Sequence, residues 1–178
     1  LDAWEGFGDQ SFTFPHGLSV GVDGHVYTAD SRQHTVRRWS PDGRLLLTLG
    51  RAHQNAPSFS GDPFDRPTHA TVARNGDIYV SDGHTNDGYG NSRVHVFGPD
   101  GAYKFGWGAR GSGPGEFETI HSVFIDPTDD IVYVADRVNH RIQRFTLEGT
   151  FLGEWGGLRQ PQSIRKGPDG AFYVAELS

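Results

Sequence analysis

Two histidines occupy the same position in two copies of an internal repeat. His16 lies in FPHGLSVGVDGHVYTAD (14–30) and His121 in TIHSVFIDPTDDIVYVAD (119–136). Two sister segments, RPTHATVARNGDIYVSD (66–82) and QPQSIRKGPDGAFYVAE (160–176), carry Thr68 and Gln162 there. Histidine therefore recurs in alternate copies. Three imidazoles with one open position form a catalytic zinc site. If the copies surround an axis, positions 16, 68, 121 and 162 are neighbours on one ring. Histidines on alternate copies then supply two ligands of a trigonal set, with the third expected two copies beyond His121 and outside this chain. Two histidines alone hold zinc weakly.

The elements that must position this ring are legible as strands. Four segments, 24–30, 76–82, 130–136 and 170–176, share a tyrosine (27, 79, 133 and 173) between apolar residues, followed by Asp or Glu. A second element follows in three copies: HTVRRWSPDGRLLLTLG (34–50), SRVHVFGPDGAYKFGWG (92–108) and HRIQRFTLEGTFLGEWG (140–156). Each holds two apolar runs joined by P-D-G or L-E-G, the pattern of a β-hairpin. No 3.6-residue periodicity is sustained. One unit is thus four short antiparallel strands. A unit of that kind repeated at this interval predicts an all-β chain of β-propeller blades. The acidic residues Asp30, Asp82 and Asp136 recur in every complete unit and are expected to fix a turn.

The expected division is 1–13 as the end of a preceding blade, blades at 14–65, 66–118 and 119–158, and the start of another at 159–178. Three whole units and two part-units do not close a ring, since propellers have about four to eight blades. The chain is therefore expected to be an incomplete portion of a larger propeller. The absence of methionine and the leucine at residue 1 also suggest a processed chain or an internal fragment.

Composition excludes some functions. A net charge of −6 with scattered basic residues argues against a nucleic-acid surface. No apolar run approaches the roughly 18 residues of a membrane span. The chain has no cysteine, so it offers neither disulfides nor thiolate ligands.

The stretches PHGLSVGVDGHVYTAD, YVSDGHTNDGYGNSRVHVFGPDG, GSGPGEF and YVADRVNHRIQRF resemble the NHL repeat over nearly the whole chain. Within NHL proteins the chain is most similar to peptidyl-α-hydroxyglycine α-amidating lyase and its bacterial relatives. That resemblance implies a six-bladed propeller that cleaves a C-terminal α-hydroxyglycine to a peptide amide and glyoxylate. It also implies zinc held by three histidines, a catalytic tyrosine, substrate-contacting arginines, a structural calcium and a secreted or periplasmic setting.

Carried over by motif, P-H-G-L (15–18) makes His16 a zinc ligand and the Leu18 carbonyl a calcium ligand. Ile120-His121-Ser122 matches a P-H-S motif with the proline lost and gives the second zinc ligand. Ser81-Asp82-Gly83 matches the start of S-D-G-Y-x-N-S-R, but five residues (84–88) precede Tyr89. Tyr89 is the counterpart of the catalytic tyrosine, and His84 competes for its slot. Ala135-Asp136-Arg137 makes Arg137 the substrate-contacting arginine. Thr68 and Gln162, on the histidine ring, are candidate substrate contacts. The expected partner is a small molecule or a peptide C-terminus; the alternative is a non-catalytic NHL propeller that binds a protein or peptide.

Overall fold

The computed structural model describes residues 12–57, 64–84 and 91–177. Described secondary structure is entirely strand and turn. The first four-stranded sheet comprises β1 (Pro15–Val20), β2 (Val26–Asp30), β3 (Thr35–Trp39) and β4 (Leu45–Gly50). The second comprises β5 (Pro67–Val72), β6 (Ile78–Asp82), β7 (Arg93–Phe97) and β8 (Tyr103–Trp107). A short parallel pair, β9 (Ala109–Arg110) with β10 (Glu116–Phe117), links it to the third. The third comprises β11 (Ile120–Ile125), β12 (Val132–Asp136), β13 (Arg141–Phe145) and β14 (Phe151–Trp155). A hairpin follows, of β15 (Pro161–Lys166) and β16 (Phe172–Glu176). Each four-stranded sheet is an antiparallel meander in chain order, the architecture of a propeller blade.

Apolar side chains join one blade to the next. Tyr27, Val36 and Leu49 of the first blade meet Ala70, Val72, Ile78, Val80 and Phe97 of the second. Tyr79, Val94 and Val96 of the second blade pack with Ile120, Val123, Val134 and Phe145 of the third. The hairpin contributes Ile164 to a cluster with Tyr133, Ala135 and Ile142. Alternation of side chains along each strand thus buries both faces of the middle blades between neighbours.

The repeated aspartates tie the start of each blade to its second strand. Asp30 accepts from the backbone N–H of Thr13, Phe14 and Gln33. Asp82 accepts from Asp65 N–H and from the side chain of Asn91. Asp136 accepts from Glu118 N–H and from Asn139, Arg141 and Gln143. All three carboxylates are buried. They hold the segment entering each blade, which positions the inner strand that follows.

Every inner strand carries a β-bulge at the ring position. Pairing runs from Pro15↔Asp30 to Gly17↔Ala29, passing over His16. The same step passes over Thr68 in β5, His121 in β11 and Gln162 in β15. A bulge adds an unpaired residue and re-aims its side chain. The repeat phase that relates His16 to His121 is therefore also a backbone device, present in all four inner strands.

Candidate metal centre

The bulges bring His16 and His121 together, with ring centroids 4.6 Å apart. His16 Nδ1 lies 2.9 Å from the carbonyl of Thr68, and His121 Nδ1 lies 2.9 Å from that of Gln162. A carbonyl only accepts, so both Nδ1 atoms carry the proton and donate it. Each neutral ring then keeps a free lone pair on Nε2. This is the tautomer a metal requires, fixed by a backbone carbonyl behind it. In both cases the carbonyl belongs to the bulge residue of the next blade.

A third imidazole joins them from within the chain. His84 lies 4.6 Å from His16 and 5.3 Å from His121, centroid to centroid. One ligand atom from each of the three lies within 4.8 Å of the others, so the three histidines could hold one metal ion. The sequence reading placed the third ligand outside the chain and treated His84 as a rival for the tyrosine slot. His84 escaped because it sits in the five-residue insertion, out of repeat phase. Its signal was the imidazole directly after Ser81-Asp82-Gly83. Gly83 and His84 both donate backbone N–H to Arg66 O, at 3.0 and 3.1 Å. Gly83 has φ 134°, and a Cβ there would fall 1.5 Å from Asn91 O, so only glycine makes this turn.

The electrostatics favour uncharged rings. Burial lowers the pKa of His16, with the Arg137 charge adding to it. Burial and the neighbouring His16 push His84 down to about 4 and His121 to about 3. Neutral imidazoles at ordinary pH are ready to ligate a cation.

One consequence is measurable without metal. Below about 6.5 the unfolded chain takes up protons on these rings that the folded state refuses. Stability of the metal-free protein should therefore fall as pH drops from about 6.5 toward 4. Urea unfolding of chelator-treated protein across that range checks this; a flat profile would contradict it.

The other predicted residues separate. Arg137 lies close enough to lower the pKa of all three histidines, and its Nε is buried without a hydrogen-bond partner. Its neighbour Asp136 is instead paired with Arg141. Thr68 is fully buried, and its hydroxyl bonds to Ser81. Gln162 turns its amide to the Gln160 carbonyl. The two contribute to the centre through their backbone carbonyls. Thr68→Val should accordingly cost about 1 kcal/mol of stability while leaving metal affinity within about twofold. Denaturation and metal titration of the same variant would show both. Tyr89 lies outside the described residues.

Among the described residues no group of three carboxylates that could hold a metal ion lies beside Leu18. Leu18 lines two adjoining cavities whose walls include the cation of Arg165 and no carboxylate. Calcium takes six to eight oxygen ligands, typically with carboxylates among them.

Fold and site together define a chain of NHL-repeat propeller blades with a histidine cluster built from two inner-strand bulges and the segment after β6. A six-bladed β-propeller family model matches residues 72–156, and an NHL-repeat model matches residues 12–39. Among named relatives, peptidylglycine α-amidating monooxygenase of Rattus norvegicus is 39% identical over 79% of the chain. Peptidyl-α-hydroxyglycine α-amidating lyase 1 of Drosophila melanogaster is 34% identical over 84% of it. NHL repeat-containing protein 3 of Homo sapiens is 37% identical over 92%. The chain spans 14%, 28% and 50% of these relatives' lengths, respectively. Virginiamycin B lyase of Staphylococcus aureus shares the fold, with TM-score 0.63 at 17% identity, over 92% of this chain and 49% of that one.

Proposed function

We propose that the protein of which this chain is part is a metal-dependent lyase of the amidating type. The observation that carries this reading is the trio His16, His84 and His121, with two Nδ1 protons tied to backbone carbonyls. These residues would hold zinc, whose preference for three imidazoles and one open position they match. Bound zinc would act as a Lewis acid toward the substrate hydroxyl or a carbonyl oxygen.

The chain's own residues would do the rest. Arg137 would receive the carboxylate of an α-hydroxyglycine, since its guanidinium has no acidic partner among the described residues. Tyr89 would take the hydroxyl proton as general base. As that proton leaves, the C–O bond becomes a carbonyl, the C–N bond breaks, and the nitrogen takes up a proton. The products are a peptide amide and glyoxylate. His84 serves as ligand in this reading, which leaves the tyrosine slot to Tyr89.

The test is glyoxylate release from a peptidyl-α-hydroxyglycine by the zinc-loaded full-length protein, compared with its His16→Ala variant. Turnover lost in the variant supports the lyase. Metal bound tightly without turnover would favour a non-catalytic propeller that binds a protein or peptide.

A further inference from the structure

We propose that His34 and His140 are positioning residues of the histidine centre, each fixing the peptide segment whose carbonyl orients one ring histidine. This role rests on the reading of His16, His84 and His121 as one metal centre.

The two blade junctions share one geometry. In the first, His34 Nδ1 accepts from the backbone N–H of Arg66 at 3.1 Å. Arg66 stands two residues before the bulge at Thr68, whose carbonyl receives His16. In the second, His140 Nδ1 accepts from the N–H of Gln160 at 3.3 Å. Gln160 stands two residues before the bulge at Gln162, whose carbonyl receives His121. Two imidazoles of one blade thus grip the next blade two residues apart, one accepting and one donating. An amide N–H only donates, so the ring proton of His34 and of His140 sits on Nε2. His16 and His121 hold the opposite tautomer, with the proton on Nδ1.

The gripped peptides need such an anchor. Arg66 and Gln160 have φ of 65° and 43°. That left-handed conformation is costly for residues other than glycine and persists only where its surroundings fix it. The imidazoles of His34 and His140 hold the N–H side. On the carbonyl side, Arg66 accepts from Gly83 and His84 N–H at 3.0 and 3.1 Å. Gln160 accepts from Leu177 N–H at 3.4 Å and from the Gln162 side chain at 2.7 Å. The segment 66–68 thereby holds two of the three ligands, His84 by its backbone and His16 by its ring.

The pattern follows the ring histidines. Positions 34, 92 and 140 share one repeat phase, and positions 16, 68 and 121 share another. The blades with His16 and His121 carry His34 and His140, whereas the middle blade, with Thr68 on the ring, carries Ser92. An imidazole that served only to close a blade junction would be needed equally there, because Thr119 enters the next blade with φ 58°.

The test is zinc titration against a competing chelator on the full-length protein, with denaturant midpoints alongside to report folding. His34→Gly accommodates the φ of 57° at this position and removes the acceptor. It should weaken zinc binding about tenfold, the lower end for groups that orient a metal ligand, and His34→Asn should restore it to within about threefold. Asparagine keeps an acceptor oxygen and tolerates positive φ. His140→Gly should act in the same direction but less strongly, since His140 bears on one ligand and His34 on two. Unaltered affinity in folded His34→Gly and His140→Gly, with zinc bound by the wild type, would overturn the positioning role and leave the metal centre standing. A loss that asparagine does not repair would also overturn it. Wild-type protein that binds no zinc would overturn both. If the glycine variants do not fold, nitrogen-15 NMR of the metal-free wild type decides, at about pH 8 where imidazoles are neutral. It should show the proton on Nε2 in His34 and His140 and on Nδ1 in His16 and His121; Nδ1 protonation at 34 and 140 would overturn the role.

Discussion

Replacing His121 with alanine is expected to weaken zinc binding by the full-length protein about a hundredfold or more. Even groups that only orient a metal ligand alter affinity by about 10- to 100-fold, and His121 would bind the ion itself. The substitution removes a ring whose Nδ1 is anchored to the Gln162 carbonyl and whose centroid is 4.6 Å from that of His16. It should disturb the fold little, because the side chain lies in the cavity rather than in the apolar cores. Zinc titration against a competing chelator reads the affinity, and unfolding of the metal-free form reads the stability. Unchanged affinity would remove His121 from the metal centre.

The largest effect on stability should come from Asp136→Ala. This carboxylate is fully buried and accepts from Glu118 N–H, Asn139, Arg141 and Gln143. Its removal takes the buried counter-charge from Arg141, itself only 8% exposed, and leaves it the more exposed Glu154 at 2.9 Å. Breaking a buried pair by deleting one member costs about 3–5 kcal/mol. The variant should also loosen the start of β11 and so the bulge that aims His121. Asp136→Asn retains an oxygen acceptor and should lie between the two. Denaturant midpoints of the three proteins order them; a loss below about 1 kcal/mol in Asp136→Ala would show that the clip is dispensable.

Much of this arrangement was legible in the sequence because it follows the repeat. The blade unit was readable from tyrosines flanked by apolar residues and from P-D-G turns, which report strand alternation and hairpin closure directly. The pairing of His16 with His121 was readable as phase. What the phase encodes physically, a bulge at one position of every inner strand, is a backbone register event that side-chain pattern does not display. That register also explains Thr68 and Gln162: their importance lies in carbonyls, which carry no residue-type signal. His84 was expected only as a rival for the tyrosine slot. His84 belongs to an insertion without a repeat counterpart.

Three imidazoles of this chain are proposed to form one metal centre. Its most direct test is elemental analysis of the intact protein, as wild type and as His16→Ala, His84→Ala and His121→Ala, after dialysis against a weak chelator. About one zinc per wild-type chain is expected, with loss of that zinc in each variant. Wild-type protein without a retained metal ion, or full retention in all three variants, would contradict it.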